Sequence, residues 1–433
     1  MKICQLVPGS GGTFYCQNCL RDLALVRALR RQGHDVIMLP LYLPPAGDGA
    51  DVRQETPIFF GGINVWLQEH FPMFRKTPRW IDRLFDASWM LKQAAAREGS
   101  TNAAELGPMT LSMLEGRKGN QKKEFERLVA WLDGHERPDI IHISNALLLG
   151  LALEIKRALG VPIVCSLQDE EPWVDTMHDP FSQRCWETMT SNAACVDLFL
   201  ATSAWYAGRM SARMNIPRER ITVILLGVEM DGVVPAKLDF DPPVIGFLSR
   251  LSESQGFGVL VDAFIELKQD PALKNLRLRA TGGCTDADRP LVKSIRAKLR
   301  ASGIEESVEF LSDFREPQRR EFLRSLSVLS VPAPQGEAAG IELLEAMAHG
   351  VPVVQPRVGS YPEIIAATGG GLLYDQEEPG ALAAALRSLL CNPEQARALG
   401  QRGRAAVAEQ FTIDRVARNT VAAYASVLGP GKS

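Results

Sequence analysis

The stretch Lys2-Ile-Cys-Gln-Leu-Val7-Pro-Gly-Ser-Gly-Gly12, continued by residues 18–31, Gly33 and residues 35–39, decides the fold. Residues 2–7 form a short apolar run stopped by Pro8, which reads as a strand. Gly9-Ser-Gly-Gly12 reads as a loop. Leu20, Leu23, Ala24, Val26 and Leu29 then recur at helix spacing through residues 18–31. Gly33 stops that helix, and residues 35–39 begin a second strand. Strand, loop, helix and strand in that order build a parallel sheet with helices on its faces.

Outward from this unit, the same alternation returns at residues 139–143, 162–167, 198–202 and 221–224. It lapses over residues 227–243, which hold no sustained period and end in Pro242-Pro243, so that stretch reads as a linker. Alternation restarts at residues 244–249, 276–281, 308–311, 328–331 and 353–355. The expected fold class is α/β, with two doubly wound Rossmann-like domains facing across a cleft. Ligands in such sheets sit at the carboxyl ends of the strands. The expected division is a first domain over residues 1–226, the linker 227–243, a second domain over 244–410 and a closing helix within 411–433. Residues 88–131 are mostly helical in pattern and read as an insertion in the first domain.

Composition narrows the function classes. The 433 residues are 46% hydrophobic and 23% charged, which is ordinary for globular chains and excludes extensive disorder. A net charge of −3 gives no bulk electrostatic reason to bind nucleic acid. No apolar run is long enough to span a bilayer, and the opening residues do not read as a secretory signal. Eight scattered Cys suggest free thiols in a reducing compartment, so the expected location is cytoplasmic.

The sharpest motif is Glu337-Ala-Ala-Gly-Ile-Glu-Leu-Leu-Glu345-Ala-Met-Ala-His-Gly-Val-Pro-Val-Val354. Pro332 and Gly336 place Glu337 in a loop, and a helix is expected from about Gly340 to His349, stopped by Gly350. A bare helix start attracts phosphate through its free N–H groups and dipole. Gly340 allows a ligand to approach the backbone, and Glu345 can accept hydrogen bonds from a vicinal diol such as a ribose. An ordinary helix with solvated glutamates would show the same Glu spacing.

The surrounding string resembles the signature E-x-F-G-x-x-x-x-E-A-M-A-x-G-x-P-V-V of the retaining nucleotide-sugar glycosyltransferases of family 4, which have the GT-B fold. The likeness extends over nearly the whole chain. Ala339 stands where the family has Phe, and the loop before Glu337 looks one residue longer. The resemblance implies that Glu337 contacts the donor sugar, that Gly340 and Ile341 present backbone amides, and that Glu345 binds the ribose. It makes the first domain the acceptor side and the second the donor side. It also implies that the closing helix crosses back to the first domain.

A second motif, Ile245-Gly-Phe-Leu-Ser-Arg250-Leu-Ser-Glu-Ser-Gln255-Gly256, resembles the segment in which an Arg and a Lys neutralise the donor diphosphate. Arg250 fits the Arg, whereas Gln255 stands where Lys is expected. A surface salt bridge is the alternative for Arg250. The loop holding Gly11 and Gly12 resembles the family's phosphate-closing glycine loop, although a glycine loop alone is weak evidence. Gly282 stands at the family's glycine-rich turn after a strand. Residues 308–314 resemble the segment that cradles the base, and Gly359-Ser-Tyr-Pro-Glu363 a further family turn.

On the acceptor side, Gln168 in Val164-Cys-Ser-Leu-Gln168-Asp169 replaces a His that in the family lies beside the reacting sugar carbon. Gln cannot exchange a proton near neutral pH, which leaves it a hydrogen-bonding role. His142 matches a cleft-lining position, with a satisfied core histidine as the alternative. His178 is best read as a loop residue.

Cys16-Gln-Asn-Cys19 has the spacing of a redox or metal pair, but no second pair accompanies it, so the two Cys read as structural. Asp239-Phe-Asp241 mimics a metal-binding D-x-D yet falls in the linker. The family needs no bound metal, and no cofactor is expected. Residues 71–85 interleave aromatics with Arg75, Lys76, Arg79 and Arg83. Such a face suits peripheral contact with an anionic membrane, or an acceptor-domain helix with buried aromatics. The reading is therefore a metal-independent retaining glycosyltransferase using a UDP- or GDP-linked sugar and an unidentified acceptor. The alternative is a degenerate GT-B scaffold that binds a sugar nucleotide or a partner without turnover.

Overall fold

The structure, a computed structural model, describes residues 1–9, 14–42, 104–135 and 137–428. These form two compact units. The first comprises Met1–Gly12, Asn18–Leu225 and Val416–Ser433, and the second Thr13–Gln17 and Leu226–Arg415.

The first unit is built on six parallel strands, β1 (Lys2–Val7), β2 (Asp35–Pro40), β3 (Ile140–Ile143), β4 (Ile163–Leu167), β5 (Leu198–Ala201) and β6 (Ile221–Val223), in the order β2-β1-β3-β4-β5-β6. Helices cover the sheet, so β3, β4 and β5 are buried at every position, the polar His142 and Ser166 included. The helix Gln17–Arg31 buries Leu23, Leu25, Val26, Ala28 and Leu29. Within the expected insertion, the described part contains the helices Gly107–Leu114 and Lys122–His135. The closing helix, Ile413–Val427, belongs to this unit from Val416 onward. Its Tyr424 hydroxyl lies 2.7 Å from His142 Nδ1 at the sheet.

The second unit has strands β7 (Val244–Leu248), β8 (Arg277–Thr281), β9 (Val308–Phe310), β10 (Val328–Leu329), β11 (Val353–Pro356) and β12 (Gly371–Tyr374). Their order, β12-β11-β10-β7-β8-β9, is that of a dinucleotide-binding sheet. The chain first grows from β7 through β8 to β9, then returns to the other side of β7 as β10. The switch point therefore lies between β7 and β10, which pair through Val328 with Ile245 and Leu329 with Gly246. A Cβ on Gly246 would come within 2.2 Å of Leu326 Cδ1, so the missing side chain there makes room for Leu326.

Strand β10 is shorter than its apolar run suggests. Ser330 N still donates to Gly246 O, but Ala333 N then turns back to Val331 O. Residues 227–243 pack within the second unit. Val228 bridges to Thr412, and Ala236 N donates to His349 O at 2.7 Å. Asp239 and Asp241 are exposed, and Asp241 N donates to Asp239 Oδ1 in a tight turn.

Candidate functional site

The order of the second sheet explains why two distant motifs meet. Arg250 follows β7, and the loop leading to Glu337 follows β10, its neighbour. The two segments touch closely: a Cβ on Gly256, where φ is +73°, would lie 2.0 Å from Pro332 O. On the other flank, Leu251 N donates to Gly283 O, beside Gly282 at the end of β8. Beyond β10, Ser360 N donates to Glu337 O, tying the turn after β11 to the same loop. Gly336 and Gly359 pass so closely that a Cβ on Gly336 would lie 2.6 Å from Gly359 Cα. Arg250, Gly282, Glu337 and Gly359 thus gather at the carboxyl ends of β7, β8, β10 and β11, where ligands bind in sheets of this order.

The helix after Glu337 spans Ile341–Ala348 and starts at Gly340, whose φ of +76° and ψ of +52° are left-handed. No side chain caps it, so its first amides lack the side-chain acceptor that usually covers them. Ala339 and Ile341 are buried against the core, and Glu337 is only 7% exposed. Ser360 Oγ is buried with no hydrogen-bond partner among the described residues.

Residues 14–17, the short segment that joins this unit, run across these groups. Phe14 pairs with Gly283 in a β-bridge, and its ring lies 5.8 Å from the Arg250 guanidinium carbon. Tyr15 N donates to Gly282 O at 2.7 Å, and the Tyr15 hydroxyl donates to Glu345 Oε2 at 2.8 Å. Gln17 Nε2 donates to Glu337 Oε2 at 2.8 Å. Four expected site residues, Arg250, Gly282, Glu337 and Glu345, therefore share one short stretch of chain as neighbour.

Two further charged residues complete the geometry. Arg319, on the helix Gln318–Arg324, places Nε 3.2 Å from Glu345 Oε1 and Nη2 2.9 Å from Glu316 Oε1. Its side chain is only 11% exposed. Burial alone would lower the pKa of this guanidinium, but Glu345, Tyr15 and Glu316 outweigh burial and raise it. Burial, then the charge of Glu345, pushes the Tyr15 hydroxyl well above the usual tyrosine range, so it remains a donor. Asp288 Oδ2 lies 3.5 Å from Arg250 Nε. Gln255 is turned to Ser249, whose Oγ is 2.6 Å from Gln255 Oε1.

In the first unit, His142 is fully buried, with Nε2 2.8 Å from Ser166 Oγ and Nδ1 bound by Tyr424. Both ring nitrogens are thus engaged inside the protein. Burial, then Arg21, holds its pKa down to about 3. Gln168 is 2% exposed and donates through Nε2 to Ser144 O. Asp22 lies beside it. Burial raises the Asp22 pKa to about 6, against the lowering effects of Arg21, Ser144 and Gln168. His178 is exposed between two helices. Cys16 and Cys19 are half-buried and are not joined in a disulfide. Among the described residues, no three His, Cys, Asp or Glu side chains are grouped as a metal ion would need. No helix there is long and apolar enough to cross a membrane. Gly11, Gly12 and the basic-aromatic stretch 71–85 lie outside the described residues.

Sequence reading passed over Tyr15, Gln17, Arg319 and Asp288. Gln17 stands within the stretch read for its Cys spacing and Tyr15 just before it, and Arg319 follows the segment likened to a base cradle. Their long-range partners carry no sequence spacing that would have singled them out.

Two doubly wound parallel sheets, with charged and glycine groups gathered at the switch point of the second, define the GT-B class of glycosyltransferases. Over 98% of its length the chain resembles sucrose-phosphate synthase from Thermosynechococcus elongatus, at TM-score 0.69 and 18% identity over 99% of that chain. It resembles Anabaena HepE in complex with UDP equally well, at TM-score 0.69 and 17% identity, covering 98% of this chain and all (100%) of that one. Residues 234–406 match the family model described as glycosyl transferases group 1. Residues 22–227 match the model described as glycosyl transferase 4-like domain. The chain belongs to the group 1, family-4-like glycosyltransferases. Among its relatives is a D-inositol 3-phosphate glycosyltransferase of Segniliparus rotundus, 26% identical over 69% of this chain and 69% of that protein. An alpha-maltose-1-phosphate synthase of Mycolicibacterium smegmatis is 26% identical over 67% of this chain and 80% of its own length.

Proposed function

We propose that this glycosyltransferase is a retaining enzyme that takes its sugar from a nucleoside diphosphate, UDP- or GDP-linked, without a bound metal. The observation that carries the reading is the gathering of Arg250, Glu337, Glu345 and the uncapped helix start at Gly340 around one switch point. A diphosphate needs positive charge and free N–H groups, which Arg250 and the Ile341–Ala348 helix start supply. A ribose needs a hydrogen-bond acceptor, which Glu345 supplies. HepE, a structural neighbour, has been crystallised with UDP. The unpartnered hydroxyl of Ser360 adds a buried polar group beside Glu337 that a sugar hydroxyl can satisfy.

In this mechanism the bond from the anomeric carbon to the diphosphate breaks, and the diphosphate leaves with the electron pair. Arg250 and the helix amides stabilise the charge that develops on it, the largest electrostatic demand of the step. Glu337 orients the sugar and favours its cationic transition state. The acceptor hydroxyl attacks from the face the diphosphate leaves and gives its proton to that leaving group, so configuration is retained and no side-chain base is required. The first unit is the proposed acceptor side. The acceptor itself is unidentified.

The test is release of nucleoside diphosphate by the purified protein from a panel of UDP-, GDP- and ADP-sugars. Release from one base class, with a product of unchanged anomeric configuration, is the expected result. Inverted product would overturn the retaining assignment. Binding of a sugar nucleotide with no release under any acceptor would favour a non-catalytic scaffold, the reading that Gln255, Gln168 and Ala339 motivate.

A further inference from the structure

Glu345 is engaged through both carboxylate oxygens, and the two partners come from outside the motif. Oε2 accepts from the Tyr15 hydroxyl at 2.8 Å, and Oε1 faces Arg319 Nε at 3.2 Å. The two contacts address different oxygens, so they fix the carboxylate plane rather than only its position. A glutamate's terminal torsion is otherwise broad and roughly two-fold. Arg319 is itself held from its far side by Glu316 at 2.9 Å, and its guanidinium carbon lies 5.8 Å from the Tyr15 ring centre. Tyr15 is fixed in turn by its backbone bond to Gly282. The three side chains form one closed arrangement in which each constrains the next.

We propose that Tyr15 and Arg319 are positioning residues that fix the Glu345 carboxylate for a ribose diol, and thereby set the preference for ribonucleotide over 2′-deoxyribonucleotide donors. This role rests on the nucleoside-diphosphate reading given above. A carboxylate offers about four acceptor positions; the Tyr15 hydrogen bond uses one on Oε2, and the Arg319 guanidinium holds Oε1 by charge without a hydrogen bond from Nε. Each oxygen keeps at least one acceptor position, enough for the two adjacent hydroxyls of a ribose. With the plane fixed in advance, no torsional freedom is lost when the diol binds. A freely rotating carboxylate would recognise one hydroxyl nearly as well as two, and its selectivity for ribose would fall.

Isothermal titration calorimetry with UDP, GDP and ADP, and with their 2′-deoxy forms, tests the role on the full chain. The wild-type protein is expected to bind the ribo form of its preferred nucleotide about tenfold more tightly than the deoxy form, the value of one such hydrogen bond. Tyr15→Phe and Arg319→Gln, folded by circular dichroism and thermal melting, should lose affinity for the ribo form and bring the ratio close to one. Arg319→Lys keeps the charge without the fork and should give an intermediate ratio. Two outcomes overturn the role: variants that weaken both forms equally, and a Tyr15→Phe protein that binds ribonucleotide more tightly. Loss of selectivity in Glu345→Gln alone would overturn the role of Tyr15 and Arg319 while sparing the diphosphate reading. Failure of the wild-type protein to bind any of the three nucleotides would overturn both.

Discussion

Gln17 Nε2 donates to Glu337 Oε2 over 2.8 Å, although 320 positions separate the two residues. Gln17 begins the helix Gln17–Arg31 and ends the segment Thr13–Gln17 that packs in the second unit. The Gln17 side-chain amide thus reaches the candidate catalytic carboxylate and holds its Oε2.

That arrangement separates chemistry from binding. Glu337→Gln is expected to lower kcat by about 10²–10³, the usual effect of removing a preorganised electrostatic group, with nucleotide affinity little changed. Gln17→Leu should produce a smaller fall, about tenfold, because one hydrogen bond to a charged group is lost and the carboxylate stays. Steady-state kinetics beside calorimetry distinguish the two effects. An unchanged rate for Glu337→Gln would remove this residue from the mechanism.

Gln255 offers a gain-of-function test. Its amide oxygen accepts from Ser249 Oγ at 2.6 Å, and the side chain carries no charge toward a phosphate. A charged donor contributes roughly 1.5–3 kcal/mol against about 1 for a neutral one, so Gln255→Lys should strengthen nucleoside-diphosphate binding by up to about tenfold. The gain should shrink at high salt. Binding that is unchanged at low salt would show that position 255 does not face the diphosphate.

Two glycines of the site should respond differently to alanine. A Cβ on Gly282 would lie 2.1 Å from Ser249 O at a φ of +130°, so the backbone must move. A Cβ on Gly340 would meet its nearest atom, Ile364 Cδ1, at 3.3 Å, which leaves mainly the left-handed strain of about 1–2 kcal/mol. Thermal melts should rank Gly282→Ala well below Gly340→Ala. The reverse order would contradict the packing described at the end of β8.

Acid stability follows from His142 and Asp22. His142 has a pKa near 3 when folded, below its ordinary 6.5. Between those values the unfolded chain binds a proton that the folded chain does not, so stability falls as pH drops through that window. Asp22 opposes this. Its pKa of about 6, above the ordinary 3.8, adds stability as pH falls between those two values. Glu170, whose pKa burial also raises, works in the same direction as Asp22, so the His142 contribution is read from the difference between wild type and variant from pH 7 to pH 4. His142→Gln, which cannot protonate there, should be less stable at pH 7 and show a flatter or reversed decline. Equal slopes for the two proteins would contradict this account.

The alternating architecture was legible because each buried strand is a short apolar run bounded by Pro, Gly or Asp. Residues 2–7 and the strand starting at Asp35 lie where that pattern puts them. The helix after Glu337 was legible from Gly340 and Gly350, whose left-handed backbones bracket it. Strand β10 was not delimited correctly, because apolar burial continues through Val331 after the ladder to β7 has ended. The neighbours of the two glutamates could not be read at all. Tyr15 reaches Glu345 across 330 positions, and only the pairing of β7 with β10 and the path of residues 14–17 bring them together. Arg319 carries no motif, and its proximity to Glu345 depends on where a short helix ends up after β9. His142 shows the same limit in the first unit: nothing near it in sequence announces Tyr424, 282 positions away, as its partner.

In the proposed function the second unit seats a nucleoside diphosphate, with Arg250 meeting its charge. Calorimetric titration of the wild-type protein and of Arg250→Ala with UDP, GDP and ADP tests it most directly. The account expects one site per chain with one base preferred, and a loss of about tenfold or more in the variant, the scale of a charge-assisted hydrogen bond. Absence of binding by all three nucleotides, or equal affinity in the two proteins, would contradict it.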